Sequence, residues 1–325
     1  NEYEINEAQA HQIGAQNGGN LYDGYMAEVV FIDGQQLTPS SFGETDSTTG
    51  IWKPKKIGAF ASAGDNSFYL NFKDSSNLGK DESGLGNNFT VNNLTSIDQS
   101  TDTCVVNYAT LNPLNVPASN QPTFSDGNLT SITNNSTGSY KWGGCSTIGV
   151  TSGKWYCEAK ATVDSTYSRN VIGITGNATE LARTNASILN ATHSWGYYSS
   201  DGAVQGNGGG NESGYSTSYT TGDIIGIALD LDNNKLYFSK NGTFLNSSDP
   251  TSGSTGTGAV SIIAASSTND GVYFFAQTDD TGTSSPSKFE FNFGSPPYSI
   301  SSGNADANGF GNFEYAVPSG YYALN

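Results

Sequence analysis

Basic residues, histidine and methionine are scarce in this 325-residue chain, and charge of either sign is sparse. Lys and Arg number 13 against 30 Asp and Glu, with two His and one Met, and charged residues make up only 13% of the whole. The formal net charge of −17 repels phosphate backbones and anionic lipid headgroups. Nucleic acid and membrane insertion are therefore not expected among its partners. No apolar run approaches the roughly 20 residues that span a bilayer. Long stretches rich in Ala, Leu, Glu and Lys are also missing, which argues against extended helices. Cysteine stands at three: Cys104, Cys145 and Cys157. They form no CxxC pair and have no clustered His, so neither a zinc site nor a complete disulfide framework is predicted. Buried free thiols are expected instead.

What the chain has is glycine and aromatic rings: 40 Gly, 18 Tyr, 16 Phe and 4 Trp. That balance suits short strands joined by many polar turns, an all-β composition. The length allows about two domains, each with its own core.

In the first block Tyr25, Ala27, Val29 and Phe31 alternate with Met26, Glu28, Val30 and Ile32. The pattern predicts a strand buried largely on both faces, turned by Asp33-Gly34. Pro39 then suits a first helical turn, and helix is expected only there, near residues 38–43. The run Tyr22-Asp23-Gly24-Tyr25 through Phe31-Ile32-Asp33-Gly34 to Leu37-Thr38 resembles the last strand and closing turn of laminin-G-like (LamG) domains. That resemblance implies a partial LamG-like block over 1–93, its unpaired edges covered by other protein. Phe68 to Phe72 reads as a further strand, followed by a turn-rich run from Leu78 to Asn88. The Asp, Ser and Asn oxygens of this run, near Asp81, are of the type calcium takes, yet the spacing matches no EF-hand, and turn chemistry accounts for them. No cofactor or metal is assigned. Residues 94–123, with Pro113, Pro117 and Pro122, read as a linker.

From about Asn128 strand signals recur. Gly153-Lys154-Trp155-Tyr156 opens an alternating run, and Trp195-Gly196-Tyr197 lies in another. Gly222-Asp223-Ile224-Ile225-Gly226-Ile227-Ala228-Leu229-Asp230 runs through a tight turn into Leu236-Tyr237-Phe238-Ser239-Lys240-Asn241-Gly242. Lys288 to Gly294 completes the series. These segments, in this order and ending on Phe291-Asn292-Phe293-Gly294, resemble the SPRY (B30.2) domain. The resemblance implies a concanavalin A-like jelly-roll β-sandwich over 124–325. The tail, Asn304 to Tyr315 followed by Pro318 to Leu324, is similar to the closing segment of LamG–SPRY proteins of marine phages and viruses. That similarity implies a virion surface protein, such as a tail fibre or spike, that binds a host-surface glycan or protein. Passive capsid or tail decoration is the alternative. Virion structural proteins are further partners, and a homo-oligomer, a trimer by analogy with phage fibres, is expected.

No catalytic residues are assigned. His11 and His193 lie in no Ser-His-Asp or Cys-His arrangement. The acidic run Glu2-Tyr3-Glu4-Ile5-Asn6-Glu7 resembles the acidic strand of beta-glucanases, but it carries Glu4 where those enzymes have Asp, so a glycan-cleaving enzyme is the least favoured reading. Asp230 and Asp232 fit a strand-end turn. For ligand binding the candidates are Trp195, Tyr197 and Tyr215 as stacking rings, with Asp201, Asn207 and Asn211 as polar contacts around the Gly-rich stretch 202–214. The loops 180–192, 202–214, 246–262 and 278–287 are expected to be the free, variable surface.

Overall fold

The computed structural model describes residues 11–15, 19–22, 26–45, 52–55, 57, 63–74, 76–95, 99, 107–134, 140–163, 169–212, 214–280 and 286–325. Cys104 and the Glu2 to Glu7 run lie outside the described residues. The chain separates into two units, Asn1–Asn107 and Tyr108–Asn325.

The first unit has little regular structure. Strands β1 (Val29–Phe31) and β4 (Phe68–Leu70) pair antiparallel, with Val30 opposite Tyr69, and β2 (Gly43–Thr45) pairs with β3 (Trp52–Pro54). The helical turn expected near Pro39 forms over Pro39–Ser41. The first strand is shorter than its alternation predicts, and all three of its residues are half-buried rather than enclosed on both faces. The reason is topological: among the described residues β4 is its one neighbour in the sheet. Phe68 stacks on Phe31 at 5.6 Å and meets Phe89 edge-on at 4.8 Å. Asp81 organises the following turn, accepting from the backbone N–H groups of Tyr69, Ser83 and Asn87 and from Ser83 Oγ at 2.7–2.9 Å. Burial opposes its charge, but these donors outweigh burial and lower its pKa. Both carboxylate oxygens are engaged in turn bonds.

The second unit is an all-β two-sheet assembly. Its strands are β5 (Thr123–Ser125), β6 (Thr130–Ile132), β7 (Lys141–Cys145), β8 (Lys154–Val163), β9 (Asn170–Thr175), β10 (Ser194–Tyr198), β11 (Val204–Gly206), β12 (Gly210–Glu212), β13 (Ile224–Asp230), β14 (Lys235–Lys240), β15 (Thr243–Phe244), β16 (Val260–Ser261), β17 (Phe274–Asp279), β18 (Lys288–Asn292) and β19 (Tyr322–Ala323). One sheet runs β12-β11-β10-β9-β17-β7. The other runs β15-β14-β13-β8-β18-β6-β5, with β16 added to β14 and β19 parallel to β8. Period-2 alternation sends Trp195, Tyr197, Ile172, Ile174 and Phe275 of the first sheet toward the second. Ring contacts join the two, Tyr197 to Phe238 at 5.5 Å and Phe275 to Phe293 at 6.2 Å.

The back of the six-stranded sheet is covered by a helix that the sequence reading did not anticipate. Helix α1 (Ala178–Thr184) lays Ala178, Leu181 and Ala182 on Trp142, Cys145, Val171 and Tyr198. Asn185 ends it in the left-handed region and accepts from the Trp142 N–H at 2.8 Å. The stretch 180–192 is thus a packed layer, with Ile188 and Leu189 buried, and not a free loop. The back of the other sheet is covered by the C-terminal tail: Phe313 meets Tyr156 edge-on at 5.3 Å, and Tyr321 is fully buried. The boundary between the units falls inside the stretch read as a linker. Tyr108, Ala109 and Leu111 are buried, and the Ala109 N–H donates to the Leu324 carbonyl at 2.8 Å.

Candidate functional site

The six expected ligand-binding residues do not converge on one site. Trp195 is 2% exposed, Tyr197 fully buried and Tyr215 6% exposed, so none of the three offers a ring face to a ligand. The two tyrosine hydroxyls are engaged inside the fold. Tyr197 Oη donates to the Thr217 carbonyl, Tyr215 Oη to the Gly258 carbonyl at 2.9 Å, and Trp195 packs on Tyr273 at 6.1 Å. Burial pushes the Tyr197 and Tyr215 hydroxyls well above the usual tyrosine range. The Gly-rich stretch is the β11–β12 hairpin, not an open loop. Gly206 is required there, because a Cβ would lie 2.0 Å from Trp195 Cδ1. Asp201 sits in the turn between β10 and β11, and Asn207 in the turn between β11 and β12. Successive antiparallel strands place those two turns at opposite ends of the sheet. Asn211 lies within β12, opposite Gln205.

Of the six, Asn207 belongs to a built surface, where four loops meet at one end of the sandwich. These loops carry Asn177 after β9, His193 before β10, Asn207 and Gly208 between β11 and β12, and Asn269 and Asp270 before β17. Main-chain bonds tie them together: the Gly176 N–H donates to the His193 carbonyl at 2.7 Å, Asp270 to Gly176 at 2.9 Å and Gly208 to Ala191 at 3.1 Å. Side chains complete the link. Asn207 Oδ1 accepts from the His193 N–H at 3.2 Å, Asn177 Oδ1 from Asn269 Nδ2 at 2.9 Å, and Asp270 Oδ2 from the Thr179 N–H at 3.4 Å. Both His193 (φ 58) and Asn207 (φ 49) hold left-handed backbone, a conformation uncommon for His that these bonds fix in place. Asn207 and Asn269 are exposed, and His193 and Asp270 half-buried.

The cluster presents hydrogen-bonding groups. His193 Nδ1 accepts the Asn269 N–H at 3.2 Å, so in the neutral ring the hydrogen sits on Nε2, and no described residue accepts it. A general base held by a carboxylate has the reverse arrangement, with Nδ1 donating. Among the described residues no three His, Cys, Asp or Glu side chains gather to hold a metal. Asp230, at the end of β13, accepts from the Asn233 N–H at 3.0 Å and from Lys154 Nζ at 2.9 Å, while Asp232 accepts from the Gly153 N–H at 2.8 Å. Both are turn residues.

Residues 143–276 match the SPRY domain family. The second unit carries a SPRY domain. Among solved structures the chain is similar to the SPRY domain of human HERC1, at 16% identity over 56% of this chain and 96% of that one, with a TM-score of 0.40. It is also similar to a second human SPRY domain, at 15% identity over 52% and 92%, with a TM-score of 0.35. Comparison with curated proteins gives no match. The matched stretch begins inside β7 and ends inside β17, yet β18, beyond it, pairs with β8 along Phe289 to Asn292. The SPRY sandwich is therefore completed by strands from both sides of the matched residues, β5 and β6 before it and β18 and β19 after it.

Proposed function

We propose that this chain is a non-catalytic recognition protein of a virion surface, whose SPRY sandwich presents the loop end around His193 to a host-surface protein or glycan. The observation that carries this reading is the loop end itself: four segments distant in sequence are locked into one arrangement, with an imidazole N–H, two exposed amides and a carboxylate at its surface. Preorganised donors and acceptors on a rigid scaffold lower the ordering cost of binding. The viral setting is supported by the resemblance of the 22–38 and 304–324 stretches to LamG–SPRY virion proteins. The LamG-like nature of the first unit is part of the same proposal.

The test is adsorption of the full-length protein to whole cells, measured before and after protease or periodate treatment to separate a protein receptor from a glycan. His193→Ala with Asn269→Ala should weaken adsorption about ten- to a hundredfold, as loss of a central contact does. Unchanged adsorption in a folded double variant refutes the assignment of this surface.

A further inference from the structure

A buried ion pair lies away from the loop end. Lys141 opens β7 and Asp279 closes β17, and the two stand directly opposite each other across the antiparallel pair. Both side chains are fully buried, with Nζ 3.4 Å from Oδ2. Thr133 Oγ1 donates to the same oxygen at 3.2 Å. Complete burial of a lysine is rare, and both charges of this pair are withdrawn from water. A charge-assisted hydrogen bond closes to about 2.7–2.9 Å, so at 3.4 Å the two groups are in contact without a tight hydrogen bond. An amine and a carboxyl held in contact away from water are the reactant groups of amide condensation, which proceeds from the neutral amine and the neutral acid.

We propose that Lys141 and Asp279 are a modification site, joined by an intramolecular amide bond between Lys141 Nζ and Asp279 Cγ. The Nζ lone pair attacks Cγ. The tetrahedral adduct expels its hydroxyl, which leaves with an amine proton as one water. One N–C bond forms, one C–O bond breaks, and no oxidant, reductant or co-reactant enters. Register and burial hold the partners together in advance, which removes the entropic part of the barrier. The Thr133 hydroxyl, donating to Oδ2, is placed to stabilise the oxyanion of the adduct. The product replaces two buried charges with a neutral amide. It also fastens β7, the end strand of its sheet, covalently to β17.

Intact mass of the purified, denatured full-length protein tests this. The expected mass is one water below that of the sequence, and tandem spectra of a digest should contain the Lys141 and Asp279 peptides linked. The full sequence mass overturns the proposal. Lys141→Met should restore the full mass; a water still missing in that variant points to condensation elsewhere, such as a cyclic imide at Asp270-Gly271, and also overturns it. Asp279→Asn should lose one ammonia in place of water, because the leaving group changes while the amide formed is the same. Should the variants fail to fold, the presence or absence of the linked peptides in the wild type decides.

Discussion

Removing the Glu158 carboxyl should loosen the C-terminal tail from the SPRY sandwich. Glu158 lies on β8 on the same face as Tyr156, fully buried, with no basic residue within ion-pair distance among the described residues. Its oxygens accept from the backbone N–H groups of Glu314 at 2.9 Å and Tyr315 at 2.8 Å, from Asn292 Nδ2 and Tyr156 Oη at 3.3 Å, and from Tyr298 Oη at 3.4 Å. In Glu158→Ala two backbone donors lose their acceptor, each at about 1–3 kcal/mol, so the expected cost is about 3–5 kcal/mol. Glu158→Gln keeps one acceptor oxygen and turns an amide against the other donor, at about 1–3 kcal/mol. Urea unfolding followed by a probe of the second unit gives both values, and limited proteolysis reports whether the tail is released first. Equal and negligible losses in the two variants, below about 0.5 kcal/mol, would refute the reasoning.

The same residue fixes a pH dependence. Burial raises the Glu158 carboxyl above its usual range, against the pull of the Glu314 and Tyr315 N–H groups. A folded-state pKa above the unfolded one means that the folded protein holds the proton longer. The contribution is then full below the unfolded value of about 4.3 and declines as pH rises through the folded value. The margin of wild type over Glu158→Gln should therefore narrow from the acid side toward neutrality. A margin that widens over that interval contradicts the assignment.

Three further outcomes follow from packing. Tyr215→Ala should cost about 3–5 kcal/mol, as a buried aromatic truncation does, so weakened binding by this variant must be read against its lost stability in the same urea experiment. Gly206→Ala should cost about 1–3 kcal/mol and shift the Trp195 fluorescence, because the new methyl meets the indole; an unperturbed spectrum argues against the contact. Cys145 and Cys157 are buried and their thiols pushed up, Cys145 to about 12, so neither should react with a thiol reagent at neutral pH until the protein is unfolded.

Much of the second unit was legible along the chain. The period-2 runs became β8, β13, β14 and β18, and Asn241-Gly242 became the turn from β14 to β15 because a two-residue hairpin is set by local backbone preference alone. Helix α1 escaped notice because seven residues are too few to show a 3.6-residue period, and its stability comes from the sheet beneath it. The aromatic site was misread, although its correction was present in the pattern. Trp195 and Tyr197 alternate with Gly196, so they share a strand face, and a glycine on the other face marks close packing there: a Cβ on Gly196 would lie 2.5 Å from Val171.

What sequence periodicity could not show was which face lies against solvent. Tyr156, Glu158 and Lys160 share one face of β8, a face that would meet solvent if no other segment covered it. The tail, about 150 residues later, covers that side, and Tyr298 places its ring 5.3 Å from Lys160 Nζ. The loop-end surface was hidden for the same reason. Asn269 and His193 are 76 positions apart, and only the β9-β10-β17 pairing brings their loops together. Alternation in a strand therefore identifies two faces but not their surroundings, and in this chain both the environment of the Glu158 carboxyl and the loop-end cluster depend on a segment that comes much later.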